Sequence, residues 1–323
     1  MDDTANPTSL TPPDIARWRV ANTGIDYVHR VSSTKPGPGI LITALMHGNE
    51  ACGAVALDRI LANALKPTRG TLTLAFLNVL AYARIDSRKP DQGRFVDEDM
   101  NRVWSADKLD GPGKTVELAR ARTIRPIADA CDHLLDLHSM TEGELPLALS
   151  GTSAKGMRLA RRMRYPATVV ADPGHTSGVR LRDYGDFGDP DAEKSALLVE
   201  CGRHFAAGSA EVAFQSALRF LHTFDMLDPA FVARHLDERT LEPQRFIEVT
   251  HVVTIETDAF EFKRPVRPLE IIAKAGTLLA LDGGREVRTP YDACVPIMPA
   301  KKIKRGLTAV RLGRYIPAAS PNP

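Results

Sequence analysis

The sequence lacks most of what marks secreted, membrane-spanning or nucleic-acid-binding chains. Its 323 residues include four cysteines, Cys52, Cys131, Cys201 and Cys294, none in a CxxC spacing, which argues against a zinc knuckle and against a dense disulfide framework. No apolar run approaches the ~20 residues of a membrane helix. The opening MDDTANPTSLTPPD is acidic and polar where a signal peptide is basic and then apolar. Charge of either sign is not in excess: 42 Lys+Arg stand against 40 Asp+Glu, a formal net charge of +2, with no basic block to grip nucleic acid or a membrane surface. The expectation is a cytoplasmic protein with reduced, mostly buried thiols, whose partner is a small molecule or peptide and neither nucleic acid nor membrane.

What the chain does have is alternation. From Gly39 onward apolar runs alternate with amphipathic stretches, the pattern of an α/β domain. GILITALM (Gly39 to Met46) reads as a buried strand, and Leu57, Ile60, Leu61 and Ala64 recur at helical spacing just after it. TLTLAFLNVL (Thr71 to Leu80) reads as a second strand, followed by a polar loop from Ala81 to Arg102; loops that long in compact domains are often functional. Val116 to Ala130 reads as a helix, LLDLHSM as a strand end, PATVVADP and SALLVECG as two further strands, and Ala210 to Phe224 as a helix. After Asp228 a charged stretch leads into short β-like runs punctuated by turn signals, so the catalytic region is placed at residues 1–235 and a small all-β domain at 236–323.

Two short motifs carry chemistry. HGNE (His47 to Glu50) puts an imidazole and a carboxylate three positions apart where a strand turns into a helix. Catalytic zinc commonly takes two His and one Glu and leaves a fourth position for water. His138 in DLHS is the best source of the third ligand, because it too follows an apolar strand and α/β sites gather beyond strand ends; Asp136, two residues upstream, would orient its ring. The same residues also fit a plain turn with Asn49 as helix cap and a hydrogen-bonded core histidine.

The order HGNE, then R-x-x-D-x-D-x-N-R from Arg94 to Arg102, then DLHS, then VECG around Glu200 resembles the succinylglutamate desuccinylase/aspartoacylase family, which is related to the zinc carboxypeptidases. The resemblance spans about Leu41 to Phe224. It implies a zinc-carboxypeptidase-like mixed sheet flanked by helices, a smaller C-terminal β domain, and zinc-dependent hydrolysis of the amide of a small anionic N-acyl amino acid. By matching positions it implies one zinc per chain on His47, Glu50 and His138, a general base at Glu200, and a carbonyl-polarising arginine at Arg94. Asn101 and Arg102 would hold the substrate carboxylate, with Asp97 and Asp99 orienting the arginines.

The family places a tyrosine and an arginine for an acyl-side carboxylate upstream of the base; Arg182 and Tyr184 are the candidates here, at a spacing that departs from the family pattern. His175 and Tyr291 are weaker candidates, a loop histidine and a tyrosine of the β domain. Two other readings stay open: a carboxypeptidase acting on peptide C-termini, and a metal-bearing binding protein without turnover. Homo-oligomerisation is also left open.

Overall fold

The computed structural model describes residues 9–317 except 87, 90, 142–144, 176 and 238–240. Thirteen strands are present among the described residues: β1 (Val28–Ser32), β2 (Gly39–Ala44), β3 (Thr71–Phe76), β4 (His133–Met140), β5 (Leu147–Leu149), β6 (Thr168–Ala171), β7 (Ser195–Arg203), β8 (Arg245–Thr254), β9 (Phe260–Phe262), β10 (Leu278–Asp282), β11 (Arg285–Arg288), β12 (Val295–Ile297) and β13 (Thr308–Ile316). The helices are α1 (Ala51–Ala62), α2 (Val79–Tyr82), α3 (Ala106–Leu109), α4 (Val116–Ala130), α5 (Ala154–Met163), α6 (Ala207–Thr223) and α7 (Pro229–His235).

Ten strands form one mixed sheet in the order β1-β3-β2-β4-β7-β5-β6-β8-β13-β12. Its centre, β3-β2-β4-β7, is parallel. Those strands are buried along almost their whole length, as expected for a sheet covered on both faces. On one face the odd-numbered residues Leu135, Leu137, Leu197 and Val199 pack with α1, α5 and α6; on the other Leu134 and Ala196 pack with α4, Trp104, Leu181 and Phe187. Because side chains alternate along a strand, Asp136, His138 and Glu200 project from this second face.

The expected strands and long helices appear within a few residues of where hydrophobic periodicity puts them. Thr71 to Leu80 is the exception, since the strand stops at Phe76 and Asn78 caps the short helix α2 by accepting from the Ala81 N–H at 3.3 Å. Among the described residues after 236 every regular element is a strand. Strands β8, β13 and β12 nevertheless extend the main sheet, with β8 parallel to β6, and only β9, β10 and β11 form a separate antiparallel sheet. No helix among the described residues is long and apolar enough to cross a membrane.

Candidate active site

The site forms where β2 and β4, adjacent and parallel, both end. Past β2 the chain turns through HGNE into α1, and Gly48 is required there. A Cβ at that position would lie 2.3 Å from the Tyr82 nitrogen and 2.4 Å from the Gly93 carbonyl oxygen. The bare glycine lets Ala81, Tyr82 and Gly93 press against the turn, and the Gly48 N–H donates to the Arg94 carbonyl at 3.0 Å.

His47, Glu50 and His138 are all buried, and a ligand atom from each lies within 4.8 Å of the other two. Both imidazoles turn Nδ1 toward the Glu50 carboxylate: His47 Nδ1 is 2.8 Å from Oε1, and His138 Nδ1 is 2.8 Å from Oε2. The second approach is close in distance, yet Oε2 makes no hydrogen bond of acceptable angle. A buried carboxylate oxygen without a hydrogen bond is costly, and two imidazoles with one carboxylate are a donor set that could hold a divalent metal ion.

The outer nitrogens are fixed by carboxylates. His138 Nε2 is 2.8 Å from Asp136 Oδ2, whose other oxygen accepts from Thr43 Oγ1 at 2.7 Å, and His47 Nε2 is 2.9 Å from Asp99 Oδ1. With Nε2 held beside a carboxylate, each ring turns Nδ1 inward, where its lone pair would serve a metal ion once that nitrogen gives up its proton. Burial opposes charge on His138, but Asp136 and Glu50 outweigh it and hold its pKa well above that of an ordinary histidine. This point of the fold therefore favours a positive charge, proton or metal ion.

Glu200 is the register partner of His138 across the β4–β7 ladder, so the two side chains are neighbours on one face. It is 7% exposed, its Oε2 lacks a hydrogen-bond partner, and burial pushes its pKa up to about 8 despite the opposing pull of His138.

The 94–102 segment brings the arginines in. Arg94 Nη2 lies 3.0 Å from His47 Nε2 and 3.2 Å from Asp99 Oδ2, with Nη1 3.6 Å from Glu50. Asp99 caps the 3-10 turn Met100–Arg102 by accepting from Asn101 N. Burial would raise its pKa, but His47, Arg94 and Arg102 hold it far below the carboxylate range. Asn101 is buried, and its Oδ1 accepts from the Leu181 N–H at 3.1 Å. Arg102 donates to Ser177 Oγ at 3.2 Å and to the Asn101 carbonyl, and burial lowers its pKa to about 10.

Asp97 differs from expectation. Among the described residues it pairs with no arginine, and its Oδ2 accepts from the Val116 N–H at the start of α4. Glu117, which the sequence reading passed over, pins this segment. Fully buried on α4, its carboxylate accepts from the N–H groups of Val96, Asp97 and Glu98 at 2.6, 3.1 and 3.2 Å and from Asn78 at 2.9 Å. A glutamate in the first turn of a helix ordinarily signals only dipole compensation.

Arg182 and Tyr184 are not gathered at this cluster. The Tyr184 hydroxyl donates to Asp129 Oδ1 at 2.7 Å and accepts from Arg125 Nε at 3.1 Å. Both partners lie near the C-terminal end of α4, beside the start of β4 rather than its His138 end. Arg182 is buried against Gly151, donating to the Ser150 carbonyl at 2.6 Å and pairing with Asp183. Leu181 opens a 3-10 turn and packs in the same apolar cluster as Trp104, while the Arg182 and Tyr184 side chains take the partners above. Tyr291 is bonded to Thr250 on β8. His175 packs 3.0 Å from Arg311 Nη2 and borders a cavity of about 370 Å³ with Asp172, Arg182 and Asp183.

Comparison with known proteins gives a consistent answer. The succinylglutamate desuccinylase/aspartoacylase catalytic domain matches residues 36–223. A probable aspartoacylase of Parasynechococcus marenigrum (strain WH8102) is 28% identical over 187 residues, 55% of this chain and 56% of that protein, so the alignment spans about half of the relative. Among solved structures, a succinylglutamate desuccinylase from Vibrio parahaemolyticus superposes with TM-score 0.66 at 18% identity, covering 90% of this chain and 86% of that one. The product-bound ectoine utilization protein of Ruegeria pomeroyi gives 0.61 at 20% identity over 89% and 88%. At such identities the structural likeness establishes the shared fold.

Proposed function

Since this chain belongs to the succinylglutamate desuccinylase/aspartoacylase family, we propose that it is a zinc-dependent amidohydrolase that cleaves the amide of an N-acyl amino acid. The observation that carries the reading is the convergence of His47 Nδ1, His138 Nδ1 and the Glu50 carboxylate beside a second buried carboxylate, Glu200. The donor set fits zinc, and also tolerates cobalt or manganese. A divalent ion bound there supplies Lewis acidity toward the scissile carbonyl and makes water a better nucleophile at neutral pH.

The chain's own groups supply the rest. Glu200, raised toward neutrality by burial, takes the proton from the attacking water and returns it to the leaving amine. Arg94, 35% exposed beside His47, donates to the oxygen that becomes negative as the carbonyl is attacked. Arg102, with Asn101 next to it, holds the carboxylate of the amino-acid half, as a planar guanidinium does well. Asp136 and Asp99 fix the two imidazoles so that neither ring turns its proton inward. The balance is one water consumed, with one carboxylate and one free amine released.

The test is a panel of N-acyl amino acids, varied separately in acyl and amine halves, assayed for released amine alongside metal content per chain. Metal-dependent turnover with about one ion per chain is expected. An active protein that neither holds nor needs a metal would defeat the assignment. Release of C-terminal amino acids from dipeptides, without action on N-acyl amino acids, would make it a carboxypeptidase, and a metal-loaded protein without turnover would make it a binding protein.

A further inference from the structure

We propose that Arg311, on β13 and outside the matched family region, is a specificity-determining residue that holds the carboxylate of the amino-acid half of the substrate together with Arg102. The inference rests on the proposed function and adds a residue to it.

Three observations converge. The first is placement on the sheet. Arg311 pairs across its ladders with Val252 and Ile297, which belong to the apolar cluster containing Leu198, two residues before Glu200. Ladder partners share a face, so Arg311, Glu200 and His138 all project from the same side of the main sheet.

The second is a shared strap. His175, Ser177 and Gly178 lie between the two arginines. Arg311 Nη2 is 3.0 and 3.2 Å from the two ring nitrogens of His175, while Arg102 Nε donates to Ser177 Oγ at 3.2 Å. Gly178 is so close to Arg102 that a Cβ there would sit 2.4 Å from its carbonyl oxygen. Val179 bridges to Val103 on the same side. The strap thus brings a guanidinium from the C-terminal segment next to the one assigned to the substrate.

The third is charge. Asp172 accepts from Arg311 Nε at 3.1 Å and from Arg180 Nη1 at 2.6 Å, and Asp183 pairs with Arg180 and Arg182. Asp99, the carboxylate nearest Arg102, is shared with His47 and Arg94. Cations therefore outnumber carboxylates here, and Arg180 Nη2 is buried without a hydrogen-bond partner. Burial together with Arg102, Arg311 and Arg180 keeps His175 neutral, its pKa down at about 2. Unneutralised buried cations are costly, and an anion seated between Arg102 and Arg311 supplies the missing charge. Asp172 holds Arg311 in place for it.

The experiment compares wild type, Arg311→Met and Arg311→Lys on the best N-acyl amino acid of the panel and on its neutral carboxamide counterpart, with the free amino acids of the panel titrated into each protein by calorimetry. Arg311→Met is expected to raise KM for the carboxylate substrate by about 10- to 100-fold, to leave the carboxamide within about twofold, and to weaken amino-acid binding in parallel. Arg311→Lys recovers part of the loss. Equal losses on carboxylate and carboxamide substrates, or unchanged KM and binding in a folded Arg311→Met protein, would overturn the proposal. Should that variant not fold, Arg311→Lys decides: the carboxylate substrate must lose more than the carboxamide. If wild type turns over no N-acyl amino acid, the proposed function fails, and calorimetry still judges Arg311, with no amino-acid binding to wild type, or equal binding to the variants, counting against it.

Discussion

Replacing Glu200 by glutamine is expected to abolish turnover and at the same time to stabilise the metal-free protein. The substitution keeps shape and volume and removes only the ability to carry charge. As the general base Glu200 contributes ~10²–10⁴-fold to the rate, equivalent to roughly 3–5 kcal/mol of barrier. The stability effect has the opposite sign. Burial raises the folded-state pKa to about 8 from the ordinary glutamate value of 4.5, so the folded protein holds a proton that the unfolded chain releases, and stability falls as pH rises between these values. At ~1.4 kcal/mol per pH step, the fold gives up on the order of 1 kcal/mol at pH 5.5 and 4 kcal/mol at pH 7.5, which a neutral glutamine does not. Denaturant unfolding of metal-free wild type and Glu200→Gln at the two pH values reads this difference, and kcat with metal content reads the other. A variant with turnover within a few-fold of wild type at equal metal loading refutes the base, and a metal-free variant no more stable than wild type at pH 7.5 refutes the buried, protonated Glu200.

Three further outcomes follow from the same geometry. Asp136→Asn leaves His138 Nε2 facing an amide and is expected to weaken metal binding ~10–100-fold, read by competition with a chelator; unchanged affinity would mean that Asp136 does not orient the ligand. Arg94→Ala should lower kcat by ~10²–10³ while metal content stays at wild type, whereas a loss confined to KM would move Arg94 from the carbonyl to substrate binding. The pH profile of kcat/KM should fall on the acid side as Glu200 gains its proton, at a pH above 4.5 because burial raises that group and at or below about 8 because a bound dication pulls it down; a profile flat to pH 4.5 excludes it.

Residues whose position is set by where an element ends were legible in the sequence. An apolar strand followed at once by HGNE, another ending in DLHS and a third ending in VECG each mark a side chain at a sheet end, since strand length and alternation are local properties of the chain. The order of these motifs then placed Arg94, Asn101 and Arg102 near them, and α4 appeared at its expected bounds, Val116–Ala130. Side-chain direction within irregular backbone was not legible. Arg182 stands in a 3-10 turn and Tyr184 caps it, and their partners, Ser150 for one and Asp129 and Arg125 for the other, come from distant parts of the chain.

Long-range partners were equally hidden. Glu117 reads as an ordinary first-turn glutamate until the 96–98 backbone folds onto it, and Arg311 as one more strand arginine until β13 joins the sheet that carries His138. By itself the sequence determined which strands end in imidazole and carboxylate groups, because those signals lie within a few residues of one another. Only the tertiary structure decided which carboxylates hold the two imidazoles, which arginines gather beside them and that the C-terminal strands extend the main sheet, because packing and charge pairing couple residues that no spacing along the chain connects.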